Sequence, residues 1–186
     1  MSRVVAALRH RATHRPAAVA LIDEHGVLDY AAVAAESAAL GHWLRRGGTE
    51  RAALLADNSM AWALWDLAAL QAGITLVPLP GFFTDEQLRH VVEDAGVDTL
   101  IGDDASRIER LVEGPARRPR NKRVAGRDFS VLRRVPVATE PLPAGIAKIT
   151  YTSGTTGAPK GVLLRGETLE QVAVSLVDAT RAHGGD

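Results

Sequence analysis

T-S-G-T-T-G-A-P-K-G, running from Thr152 to Gly161, lies between an apolar strand-like stretch, Ile146 to Tyr151, and a second apolar run, Val162-Leu163-Leu164. Glycines 154 and 157 let the backbone take positive φ and aim successive N–H groups into one concavity. Thr152, Ser153, Thr155 and Thr156 add hydroxyls, and Lys160 adds a cation. Such a nest suits a polyphosphate. A Walker A loop needs G-x-x-x-x-G-K-[ST] running into a helix, whereas here Pro159 precedes the lysine and Gly161 with an apolar run follows it. The loop is therefore expected to join strand to strand. Clusters of Ser, Thr, Gly and Pro are usually ordinary surface turns. The lysine sets this one apart, because Lys122, Lys148 and Lys160 are the only lysines beside nineteen arginines.

Ile149 to Lys160 resembles the signature of the AMP-binding, adenylate-forming ligases, which include acyl-CoA synthetases, peptide-synthetase adenylation domains and luciferases. Leu28-Asp29-Tyr30 is similar to that family's early L-x-Y-x-E-L segment, with Ala32 in place of the glutamate. Leu70 to Leu79 is similar to its L-x-A-G-x-x-x-V-P-L segment. The resemblance implies an α/β fold with a layered, mostly parallel sheet flanked by helices. It also implies that the loop closes on the β and γ phosphates of Mg-ATP while a carboxylic acid substrate attacks the α phosphorus, giving an acyl-adenylate and pyrophosphate. Thr152, Ser153, Gly154, Thr155, Thr156, Gly157 and Lys160 would then hold the nucleotide, with Lys160 as the catalytic, phosphate-neutralising cation. The acceptor implied is coenzyme A or a carrier-protein pantetheine. Peptide-synthetase domains usually carry an aspartate after P-L, and Pro80-Gly81-Phe82-Phe83 here leans towards the acyl-CoA synthetases. Arg165-Gly166-Glu167 departs from the family's frequent T-H-R-N.

That family's later motifs (the acyl pocket, the magnesium-binding glutamate, the ribose-binding aspartate, the hinge and the late catalytic lysine) fall beyond a position equivalent to Asp186. The expectation is that residues 1–186 are the N-terminal part of an AMP-binding domain with its phosphate loop at 149–161, inactive without the C-terminal part and lid domain or a partner chain. No metal ligand is assigned within 1–186, magnesium being held elsewhere. A non-catalytic nucleotide-binding module and a truncated relic are the alternatives.

At 186 residues and 46% hydrophobic, the chain can bury one sizeable core. It has no cysteine, which excludes a disulfide framework or thiolate metal site and fits a cytoplasmic location. The first ten residues are too quickly charged for a secretory signal, and no run approaches the roughly 20 apolar residues that span a bilayer. A formal net charge of zero gives no general pull towards nucleic acid or anionic membrane. Arg117 to Arg123, followed by Arg127, Arg133 and Arg134, is the local exception and is expected to be a solvated loop bracketed by Pro115, Pro119 and Pro136.

Along the chain, helix and strand alternate, as in layered α/β folds. The expected elements are a helix over 4–13, a hairpin over 19–28, a long helix over 30–46 stopped by Gly47-Gly48, and a strand over 53–56. A helix capped by Asn58 or Ser59, a strand over 75–79, a helix capped by Thr84 and a strand over 99–102 follow, implying parallel pairing with right-handed crossovers. Beyond a short helix over 106–112, strands are expected near 128–132 and 135–138, and a last helix over 166–182 presents Leu169, Val172, Leu176 and Ala179 on one face. His10 and His14 lack a third metal ligand. Asp103-Asp104, Glu93-Asp94 and the three tryptophans are read as structural, and Ser153 lacks a nucleophile elbow.

Overall fold

The computed structural model describes residues 2–113, 118–136, 140–153 and 158–180. The chain begins with helix α1 (Arg3–His14), the hairpin β1 (Val19–Asp23) and β2 (Gly26–Asp29), and α2 (Tyr30–Arg46). β3 (Arg51–Leu55), α3 (Met60–Ala72), β4 (Thr75–Pro78), α4 (Asp85–Asp94) and β5 (Thr99–Gly102) form the central alternation. α5 (Ala105–Arg110), β6 (Arg120–Val124), β7 (Arg127–Arg133), β8 (Ile146–Thr152), β9 (Lys160–Arg165) and α6 (Gly166–Thr180) complete it.

Local chemistry sets the helix starts. The Asp29 carboxylate accepts from the Ala32 N–H at 2.7 Å, and the Ser59 hydroxyl accepts from the Trp62 N–H at 3.1 Å. Thr84 and Gln87 form a reciprocal capping box, with side-chain bonds of 3.2 and 3.0 Å to each other's backbone N–H. Each cap satisfies a donor that the first helical turn leaves without an internal acceptor. Gly73 ends α3 in the left-handed region at φ 65°, where a Cβ would be strained.

The main sheet has seven strands in the order β6-β7-β5-β3-β4-β8-β9. β5, β3, β4 and β8 run parallel, while β7 and β9 pair antiparallel on the two sides. The parallel middle strands read as continuous apolar runs because helices cover both faces. On one face α2 and α3 pack Leu44, Leu64 and Trp65 against Leu54, Leu76 and Phe129; on the other α4 and α5 pack Leu88, Val91 and Ile108 against Val77, Leu100 and Ile149. Fully burying each such side chain contributes about 1.5–3 kcal/mol. α2 and α3 approach closely at Gly41, where a Cβ would lie 2.7 Å from the Ala68 carbonyl oxygen.

Two expectations change between Gly114 and Pro143. The basic run is not a loop: Arg120 to Val124 form β6, paired antiparallel with β7, while Arg117 lies outside the described residues. Strand pairing won because Val124 and Phe129 are buried, at 2% and 1% exposure, and anchor the ribbon to the core. Conversely, Val135 and Pro136 belong to no strand, and 137–138 lie outside the described residues. β7 instead extends to Arg133, followed by Arg134, whose N–H donates to the Asp98 carbonyl at 2.9 Å.

α6 lies last and has no buried residue; Val172 and Leu176 are 52% and 58% exposed. Its described tie to α1 is the Arg3 N–H donating to the Glu170 carboxylate at 2.7 Å. Among the described residues, no helix is long and apolar enough to cross a membrane.

Candidate functional site

The hydroxyl- and glycine-rich stretch joins β8 to β9, two antiparallel strands, as its flanking apolar runs required. Its limbs are longer than the sequence suggested. Thr152 is the last residue of β8, and Lys160 and Gly161 open β9, so the connection itself spans 153–159. Thr152 pairs directly with Lys160, and Tyr151 with Gly161. Thr152, Ser153 and Lys160 are all exposed, so one hydroxyl limb and one ammonium limb emerge side by side at the mouth of the hairpin. Gly154, Thr155, Thr156 and Gly157 lie outside the described residues.

Behind the exposed donors lies a braced base. Pro159 is buried, and its carbonyl oxygen is 3.2 Å from Nε2 of His90 on α4, a geometry in which the ring N–H donates. The Tyr151 hydroxyl donates to the Asp94 carboxylate at the end of α4, at 2.5 Å. Burial, together with this bond and the carboxylate's negative charge, raises the Tyr151 phenol well above its ordinary value, because ionisation would place a second anion beside the first. On the opposite face of β8, the Lys148 ammonium pairs with Asp66 of α3 at 2.8 Å and lies 5.6 Å from the Trp62 ring centroid. Both faces of β8 are therefore tied to helices just before the loop begins.

Gly161 has a packing role that its place in the motif did not reveal. A Cβ there would lie 2.9, 3.0 and 3.2 Å from Cζ, Oη and Cε1 of Tyr151, so the glycine leaves room for the tyrosine ring to cross β9. His90 and Asp94 were missed as partners of the loop, since nothing local in α4 tells which strand its residues will meet. Asp94 was visible only as half of a carboxylate pair. Its neighbour Glu93 pairs with Arg134, at 2.7 Å. Asp103 pairs with Arg127 at 2.7 Å, and Asp104 caps α5 by accepting from the Arg107 N–H at 3.0 Å. His10 and His14 stack with ring centroids 4.2 Å apart.

The described donors at the hairpin mouth are hydroxyls and an ammonium, the groups that suit phosphate oxygens. Carboxylates, which magnesium prefers, are not among Thr152, Ser153 and Lys160.

These features define an α/β sheet protein that carries an exposed hydroxyl- and lysine-bearing connection between two antiparallel strands. The family described as "AMP-binding enzyme" matches residues 8–185, and the chain belongs to that family. It is 30% identical over 169 residues to gramicidin S synthase 2 of Brevibacillus brevis, an alignment covering 89% of this chain and 4% of that protein. It is 29% identical over 163 residues to the fatty acid–[acyl-carrier-protein] ligase ScoC of Streptomyces coeruleorubidus, covering 82% of this chain and 31% of that ligase. Its fold matches the structure of VinN in complex with 3-methylaspartate at a TM-score of 0.76 and 24% identity, over 98% of this chain and 53% of VinN. The chain thus spans about half the length of VinN and much less of the other two.

Proposed function

We propose that this chain forms the phosphate-binding part of an ATP-dependent carboxylate ligase that converts an acid to an acyl-adenylate and then to a thioester. The observation that supports the reading is the register of β8 against β9, which sets Thr152 beside Lys160 at one exposed mouth. Thr152, Ser153, Gly154, Thr155, Thr156 and Gly157 would donate to the β and γ phosphates, and Lys160 would neutralise charge as pyrophosphate departs. That is positioning and electrostatic stabilisation, with no proton transfer asked of the loop. None of the loop residues would hold magnesium; supplied by ligands elsewhere in the complete enzyme, it would add charge neutralisation to that of Lys160.

The family's members differ in the thiol that accepts the acyl group. Pro80-Gly81-Phe82-Phe83, without the aspartate common in peptide synthetases, supports coenzyme A over a carrier protein. The test is Lys160→Ala in the complete enzyme, followed by carboxylate-dependent pyrophosphate exchange. Adenylation should slow on the order of 10²-fold with little change in acyl binding; an unchanged adenylation rate overturns the role of Lys160. Comparing thioester formation with coenzyme A and with a carrier protein then decides the acceptor.

A further inference from the structure

A second concavity lies far from the loop. The β1–β2 hairpin, the middle of α2, the start of α3 and the β6–β7 ribbon with its turn border a cleft of about 560 Å³, within the range of small-molecule sites. Leu28, Leu40, Met60 and Val124 give it an apolar lining. The cleft borders the β6–β7 turn, whereas the phosphate loop follows β8; in the sheet β7 and β8 stand four strand spacings apart, roughly 19 Å. Its walls are anchored. Asp23, at the hairpin turn, accepts from the Met60 N–H at 2.9 Å and from the His25 N–H at 2.8 Å, fastening the hairpin to the start of α3.

Of the polar groups on this cleft, the His25 ring lies 3.6 Å from the Glu24 carboxylate, and Arg123 pairs with Asp128 at 3.6 Å. Glu36 and Lys122 also line it, the first from α2 and the second from β6. Among the described residues neither has an ion-pair partner, and no salt bridge joins them. Both are only half-exposed. Lysines on edge strands are ordinarily solvated guards against strand addition. Lys122 instead turns inward over Trp43, 5.6 Å from the ring centroid, where Arg120 and Arg133 also sit at 5.6 and 5.2 Å. Lys122 thus brings to the cleft a cation that has no ion-pair partner among the described residues and can receive an anion.

We infer that this cleft binds a small zwitterion with an apolar body, its carboxylate on Lys122, its ammonium on Glu36 and its aliphatic part on Leu28, Leu40, Met60 and Val124. The inference is independent of the nucleotide site. A bare anion would leave Glu36 facing like charge, and a bare amine would do the same to Lys122. Because a charge-assisted contact is worth about one tenfold step or more in affinity, a ligand with both poles should bind at least about tenfold more tightly than one lacking either.

The probe is L-norleucine, compared with hexanoate, which lacks the ammonium, and pentylamine, which lacks the carboxylate. Each is titrated into the full chain without ATP while backbone amide shifts are followed by NMR. Norleucine should move the amides of residues 25–28 and 122–126 saturably and bind at least about tenfold more tightly than either comparator. Glu36→Gln should reduce its affinity to that of hexanoate and Lys122→Met to that of pentylamine, while Ala39→Trp, which fills the cleft mouth without touching charge, should abolish the shifts. Lys160→Ala should leave them intact. Equal binding of norleucine and hexanoate, shifts that survive all three cleft substitutions, loss of binding on Lys160→Ala, or no saturable shift at 122–126 would each overturn the inference.

Discussion

Gly161→Ala isolates the packing between β9, the returning strand of the β8–β9 connection, and its base. The added Cβ would sit 2.9 Å from Tyr151 Cζ, closer than a Cβ comes to a neighbour, and a tight 3.0 Å from Oη, so the ring must shift. Moving it breaks the 2.5 Å bond to Asp94, which is only part-buried but carries a charge. A hydrogen bond to a charged group contributes about 1.5–3 kcal/mol, and alanine recovers about 0.5–1 kcal/mol over glycine within a strand. The net expectation is a loss of about 1–2 kcal/mol, a fall in Tm of roughly 2–8 °C for a chain of this size. The assay is urea unfolding followed by tryptophan fluorescence. The sign should reverse when Tyr151 is first changed to alanine: with no ring to displace, Gly161→Ala should stabilise by about 0.5–1 kcal/mol. If Gly161→Ala is neutral in the parent, or costs as much in the Tyr151→Ala background, the steric account of this glycine is refuted.

Tyr151 also sets a pH dependence. Its phenol is raised above the ordinary 10.0, so the folded state keeps a proton that the unfolded state releases at high pH. By linkage its contribution is fully present below about pH 10 and is lost as pH climbs towards the raised folded value. Urea midpoints measured between about pH 8 and about pH 11 should therefore fall more steeply for the parent than for Tyr151→Phe; parallel curves would contradict it. At the β6–β7 turn, Ala125 holds φ 44° beside Gly126 at φ 79°, the two-residue turn geometry that asparagine-glycine prefers. Ala125→Asn should relieve about 1 kcal/mol of left-handed strain and raise Tm by roughly 2–4 °C in a thermal melt; an unchanged or lower Tm would count against that strain.

Much of the architecture was legible locally because its signals are local. Asp29, Ser59 and Thr84 cap their helices through atoms three residues away, and the apolar runs at 75–78 and 99–102 announce strands buried on both faces. The arginine-rich segment resisted reading because its charge masked a strand whose one buried side chain is Val124, with Phe129 and Val131 buried across the ribbon. In the loop, the chemistry of Thr152, Ser153 and Lys160 and its placement between two strands could be read directly from residue type and spacing. That Thr152 and Lys160 stand opposite one another, however, depends on the β8–β9 register, which is settled by pairing over the whole length of both strands. Likewise the contacts of His90 with Pro159, Asp94 with Tyr151 and Asp66 with Lys148 join residues 69, 57 and 82 positions apart. Sequence by itself determined which donors this loop can offer a phosphate, since donor chemistry belongs to the residue; only the tertiary structure decided what braces the strands that carry them, since crossovers of α3 and α4 bring distant side chains to β8.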